Sequence, residues 1–70
     1  MILIDIPIWA AHGTVFAHLV SDTSFEELHE FAARVGMPRG AFDGDHYDVP
    51  ERRYAACLAA GATRVTGVEL

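Results

Sequence analysis

The 70-residue chain contains no lysine, a single cysteine and no apolar run near the roughly 18 residues that a membrane-spanning helix requires. With only Cys57, an internal disulfide and a cysteine-cluster zinc site are both excluded. Together with the absence of a signal-like start, this predicts a reducing, cytoplasmic setting and no membrane partner. Five arginines stand against ten carboxylates, a formal charge of −5. That balance repels a polyphosphate backbone, so nucleic acid is a disfavoured partner for the chain. No nucleophile elbow, phosphate loop, dinucleotide fingerprint or zinc-helix motif occurs, nor any internal repeat or low-complexity linker. What is present is globular in character, 51% hydrophobic and 21% charged. A chain this short buries only about 60% of its unfolded surface, which predicts one domain spanning 1–70 with a thin stability margin.

Period-two alternation predicts a first strand over Met1 to Ile8, with Ile2, Ile4, Ile6 and Ile8 on one face and Leu3, Asp5 and Pro7 on the other. Pro7 has no N–H for a ladder and marks an edge or an end. Trp9 to Thr14 reads as a connection that turns at His12 and Gly13. Val15 to Ser21 reads as a second strand, with Phe16, His18 and Val20 on one side. A turn at His12 and Gly13 sets Ile4, Ile6 and Ile8 against Ser21, Leu19 and Ala17.

Capping-box spacing at Thr23/Glu26 or Ser24/Glu27 starts a helix that carries Phe25, Leu28, Phe31, Ala32 and Val35 on its apolar stripe. Gly36 and Pro38 stop it. His29 borders that stripe and reads as structural. After a loop to Gly44, Asp45 to Val49 forms a third strand, Pro50 and Glu51 open a second helix with Asp48 available as its N-cap, and Gly61 ends it. Ala62 to Val65 is a brief fourth strand. The renewed capping spacing Thr66-Gly67-Val68-Glu69 predicts a further helix starting near Thr66, cut short at Leu70.

This order, β-β-α-β-α-β, predicts a small two-layer α/β sheet: an N-terminal β-hairpin followed by two β-α-β units, with the helices on one face. The other face then displays His18, Asp22, His46 and Asp48, with Asp5, Trp9 and Phe16 beside them. Neutral imidazole and carboxylate are ligands for zinc, manganese or iron, so these four form a candidate site for a divalent metal ion. An open position on such a metal activates water, which points to a hydrolase of a phosphorylated or nucleotide-like small molecule. Without metal, His18 or His46 beside a carboxylate forms a general base, making both catalytic candidates. Asp22 and Asp48 each have a competing role as helix caps.

Asp5, Trp9, His12 and Phe16 are candidate ligand-binding residues, the two aromatics as stacking surfaces for a planar ligand. The alternative from another class is a non-catalytic interaction module that dimerises or docks a partner through the Trp9/Phe16 face. Cys57 falls on the apolar stripe of the second helix and reads as inert core. Arg52 and Arg53 read as a solvated helix face that can also hold an anion.

The segments Phe16-Ala17-His18-Leu19-Val20-Ser21-Asp22 and Asp45-His46-Tyr47-Asp48-Val49-Pro50, with Ile4-Asp5, Trp9, His12-Gly13, Glu27-Leu28-His29, Arg53-Tyr54 and Ala60-Gly61-Ala62, resemble a small bacterial and phage family known as domain of unknown function 4031. The resemblance spans nearly the whole chain. It implies a small cytoplasmic bacterial protein and supplies no activity, substrate or cofactor. It also implies relatives that continue past the position of Leu70 into a basic helix, through which nucleic-acid association becomes a third reading.

Overall fold

Alternating apolar residues build the sheet, and the computed structural model describes residues 1–66. Strand β1 (Ile2–Ile4) buries Ile2 and Ile4 and turns Leu3 the other way. Strand β2 (Trp9–Ala11) and strand β3 (Thr14–Ser21) form a hairpin closed by His12 and Gly13. Both turn residues have positive φ, 49° and 78°. This sign pattern belongs to the two-residue turn whose twist suits flanking strands; glycine adopts it freely, and His12 does so against its side chain.

The hairpin register follows the turn, with Trp9 opposite Phe16. Further along, Ile4 pairs with Leu19 and not with Ser21. Asp5 to Ile8 therefore stand opposite only Ala17 and His18, so the edge bulges by two residues between β1 and β2. Two expectations are corrected here. Ile6 and Ile8 leave the core face and are 46% and 63% exposed, and Trp9–Ala11 belongs to a strand. Pro7, unable to donate to a ladder, sits inside the bulge where no donor is needed.

Helix α1 (Phe25–Arg34) begins at Ser24, whose hydroxyl accepts the Glu27 N–H at 3.1 Å. It ends where the Gly36 N–H reaches the Ala33 carbonyl and the Met37 N–H reaches Ala32, at 3.1 and 2.8 Å. That paired closure requires a left-handed residue, and Gly36 supplies it at φ 78°. Leu28, Phe31 and Ala32 are buried. Phe25, expected on the same stripe, is exposed and packs edge-on against Phe42 at the helix start.

The segment read as loop up to Gly44 contains a 3-10 turn (Arg39–Ala41) and strand β4 (Phe42–Asp43), which Gly44 and Asp45 connect to strand β5 (His46–Pro50). A second 3-10 turn (Glu51–Arg53) leads into helix α2 (Tyr54–Ala59), which has no side-chain cap. Asp48 is therefore not an N-cap; it remains a strand residue. After Gly61 closes α2, strand β6 (Thr63–Arg64) pairs in parallel with β1. The helix expected from Thr66 onward lies outside the described residues.

The sheet order is β4-β5-β3-β1-β6, with β2 beside β3. The strand-helix order and mixed α/β class match the sequence reading. Strand direction in the first unit does not: β3 and β5 are antiparallel. The crossover through α1 reaches β4 at the edge, and the tight hairpin returns β5 to the place between β4 and β3.

Ile4, Leu19, Tyr47 and Val49 from the sheet join Leu28 and Phe31 of α1 and Cys57 of α2 in one core. Each large side chain buried there contributes roughly 1.5–3 kcal/mol. Both helices thus cover a single face, leaving the side of the sheet that carries His18, His46 and Asp48 without a helix among the described residues. No helix among those residues is long and apolar enough to cross a membrane.

Candidate functional site

Pairing of β3 with β5 sets His18 directly opposite Asp48. Alternation within β5 turns His46 to the same side as Asp48 while Tyr47 and Val49 enter the core. The result is a half-buried group in which one ligating atom from each of His18, His46 and Asp48 lies within 4.8 Å of the others. The two imidazoles meet edge to face, with ring centres 4.8 Å apart.

Behind His18 lies Asp5, only 1% exposed. Its carboxylate accepts the His18 backbone N–H at 2.6 Å, His18 Nδ1 at 2.9 Å and the Trp9 Nε1–H at 3.1 Å. The bulge explains this position. Where the chain leaves the ladder at the end of β1, the Asp5 side chain takes the place of a carbonyl partner for the His18 N–H. A carboxylate receiving three nitrogens acts as acceptor for each, which puts the imidazole proton on Nδ1 and leaves the Nε2 lone pair for a ligand. The Trp9 ring flanks the imidazole, its centre 5.0 Å from that of His18.

His46 is held at both nitrogens: Nδ1 lies 2.8 Å from Asp45 Oδ1 and Nε2 lies 3.2 Å from Asp48 Oδ1. Partial burial alone lowers its pKa. The hydrogen bond to Asp45 and the charges of Asp48, Asp45 and Asp43 together outweigh burial and hold the imidazole above its ordinary value of 6.5.

Two hollows adjoin the group. One of about 160 Å³ is lined by His18, Val20, Asp45 and His46. Another of about 300 Å³ runs between Trp9, His12, Phe16, Ala41 and Asp48. A more voluminous depression of about 650 Å³ beside the His12 turn and Glu51 lies away from the imidazole pair and is open surface.

Of the residues anticipated, His18, His46 and Asp48 come together, Asp5 and Trp9 support His18, and Phe16 and His12 line the adjoining hollow. Asp22 does not join them. Strand β3 ends at Ser21, so alternation no longer directs Asp22, and its carboxylate instead lies 2.8 Å from the Met1 amine, which also meets Glu27 at 3.0 Å. These contacts hold both carboxyls below their usual range: for Asp22 chiefly through the amine, for Glu27 chiefly through the Ser21 hydroxyl. Asp45 was absent from the anticipated ligand set. Its position beside His46 in a glycine turn was the available signal.

Two imidazoles and one carboxylate, with each Nδ1 already held by a second carboxylate, is a donor set that suits zinc or ferrous iron. Tetrahedral bonds of about 2.1 Å place ligand atoms about 3.4 Å apart, so His46 Nε2 and Asp48 Oδ1 at 3.2 Å already have that spacing, and a separation near the 4.8 Å limit of the group has to shorten by about 1.4 Å to close on an ion. Three protein ligands leave a position for water or substrate.

No curated protein and no solved structure matches the chain. The family model described as Protein of unknown function (DUF4031) matches residues 2–70, and the chain belongs to that family.

Proposed function

We propose that the open face of the sheet binds one divalent metal ion through His18 Nε2, His46 Nε2 and the Asp48 carboxylate, with a further position left for water. The observation that supports this reading is that each imidazole meets an aspartate at Nδ1, Asp5 for His18 and Asp45 for His46, while one ligating atom from each of His18, His46 and Asp48 lies within 4.8 Å of the others. The role this ligand set supports is Lewis-acid activation of water for hydrolysis of a small molecule in the adjoining hollow, with Asp5 and Asp45 as positioning residues.

Elemental analysis of the purified protein tests the metal. The expected result is close to one equivalent of zinc, iron or manganese, absent from His46→Ala. A metal-free protein whose melting temperature is unmoved by added zinc contradicts it.

A second reading rests on the outer edge of β2. Trp9–Ala11 is exposed throughout and, among the described residues, pairs only with β3, a geometry open to edge pairing with another copy of this chain. Light scattering expects a dimer that Trp9→Ala dissociates; a monomer at millimolar concentration contradicts it.

A further inference from the structure

The hollow between Trp9 and Phe16 continues past Phe16 and Asp48 into a second of about 270 Å³, bordered by Pro50, Arg52 and Arg53. The two share Phe16, Ala41 and Asp48, and Asp48 also belongs to the imidazole group. Strand register orders the features along one line. The His18–Asp48 pair comes first, the Phe16–Pro50 pair two residues further on, and Arg52 beyond that. At about 3.3 Å per strand residue, the aromatic step lies about 7 Å from the metal ligands, and the arginines a few ångströms further.

We infer that this groove binds a nucleoside-monophosphate-like molecule, its planar ring beside Phe16 and Trp9 and reaching toward the His18/His46/Asp48 site, its anionic tail held by Arg52. The inference rests on the metal reading above. Two features of the groove support it. Trp9 and Phe16 are cross-strand partners, and Trp9, which flanks the His18 ring on one side, is still 47% exposed, leaving aromatic surface on which a planar ring stacks. Arg52 is exposed and has no ion pair among the described residues, whereas Arg53 is engaged, donating Nη1–H to the Val35 carbonyl at 3.2 Å. The carboxylate excess around the imidazoles makes the bound cation a requirement, since without it the mouth of the groove repels any anion.

Calorimetry with the full chain separates the inference from the metal reading. Zinc is titrated first; then AMP, adenosine and inorganic phosphate are each titrated into the zinc-loaded and zinc-free protein. The expected result is AMP binding that needs zinc, exceeds adenosine and phosphate by at least tenfold, and falls at least tenfold in Arg52→Ala while zinc affinity is unchanged. Arg52 is solvent-exposed, so its truncation leaves the fold intact, and circular dichroism verifies this. If zinc binds with one-to-one stoichiometry but AMP binds no better than phosphate, or Arg52→Ala binds AMP normally, the ligand assignment is overturned and the metal site stands. If AMP binds equally well without zinc, the cation-dependent groove is overturned. If zinc does not bind, both fall.

Discussion

Asp5 holds His18 twice, accepting its backbone N–H at 2.6 Å and its ring Nδ1 at 2.9 Å. One carboxylate thus fixes both the strand position and the tautomer of the imidazole. Removing it in Asp5→Ala leaves a buried N–H without an acceptor, a loss of about 1–3 kcal/mol that urea denaturation measures. The gentler Asp5→Asn keeps one acceptor oxygen but replaces the other with an N–H donor, so it cannot accept from both the His18 backbone N–H and the His18 and Trp9 ring nitrogens, and it is expected to weaken zinc binding by about 10–100-fold. Unchanged zinc affinity in Asp5→Asn contradicts a positioning role.

Gly36 closes α1 at φ 78°, and a Cβ there meets Arg53 Nη1 at 3.0 Å. Gly36→Ala is therefore expected to destabilise the chain by about 1 kcal/mol or more. Gly40, with no positive φ and nothing within 4 Å of an added Cβ, is the comparison: Gly40→Ala is expected to change stability by less than about 0.5 kcal/mol. Equal effects in thermal melts count against the strain argument.

Burial raises the Cys57 thiol pKa, with the Arg53 charge opposing it only in part. The native chain is expected to release no thionitrobenzoate from Ellman's reagent near neutral pH, and one equivalent after denaturation. Rapid native labelling is inconsistent with a thiol sealed beneath the sheet.

Glu27 and Asp22 have folded pKa values below their ordinary 4.5 and 3.8, and the Met1 amine has one above 8.0. A depressed carboxyl contributes stability that is fully present above its unfolded pKa and is lost as pH falls through the folded value. A raised amine contributes stability present below 8.0 and lost as pH rises through its folded value. Melting curves of Glu27→Gln and the native chain are therefore expected to be separated at about pH 6–7 and to converge in acid as the pH falls from 4.5 through the lower folded value. A gap independent of pH contradicts the ion-pair origin.

Alternation in two strands was enough to put His18, His46 and Asp48 on one side, because a period of two fixes the face whichever way the strands run. The antiparallel direction of β5 therefore changed the topology without dispersing the group. The bulge was hidden for the same reason: Ile2, Ile4, Ile6 and Ile8 keep alternating straight through it, and only the tertiary shift of two residues reveals that the last pair is expelled. The burial of Asp5 follows from that shift, so its role as the support of His18 was not readable from spacing. Strand β4, two residues long, carries no period at all. Asp22 lies apart from the group because alternation stops directing side chains past a strand end.

Zinc titration by calorimetry, run in parallel on the native chain and its His18→Ala, Asp48→Ala and Asp22→Ala variants, tests most directly whether three side chains share one ion. The predicted result is one zinc per chain, lost in His18→Ala and Asp48→Ala and retained in Asp22→Ala. Zinc uptake that is indifferent to His18 and Asp48, or that disappears only with Asp22, contradicts it.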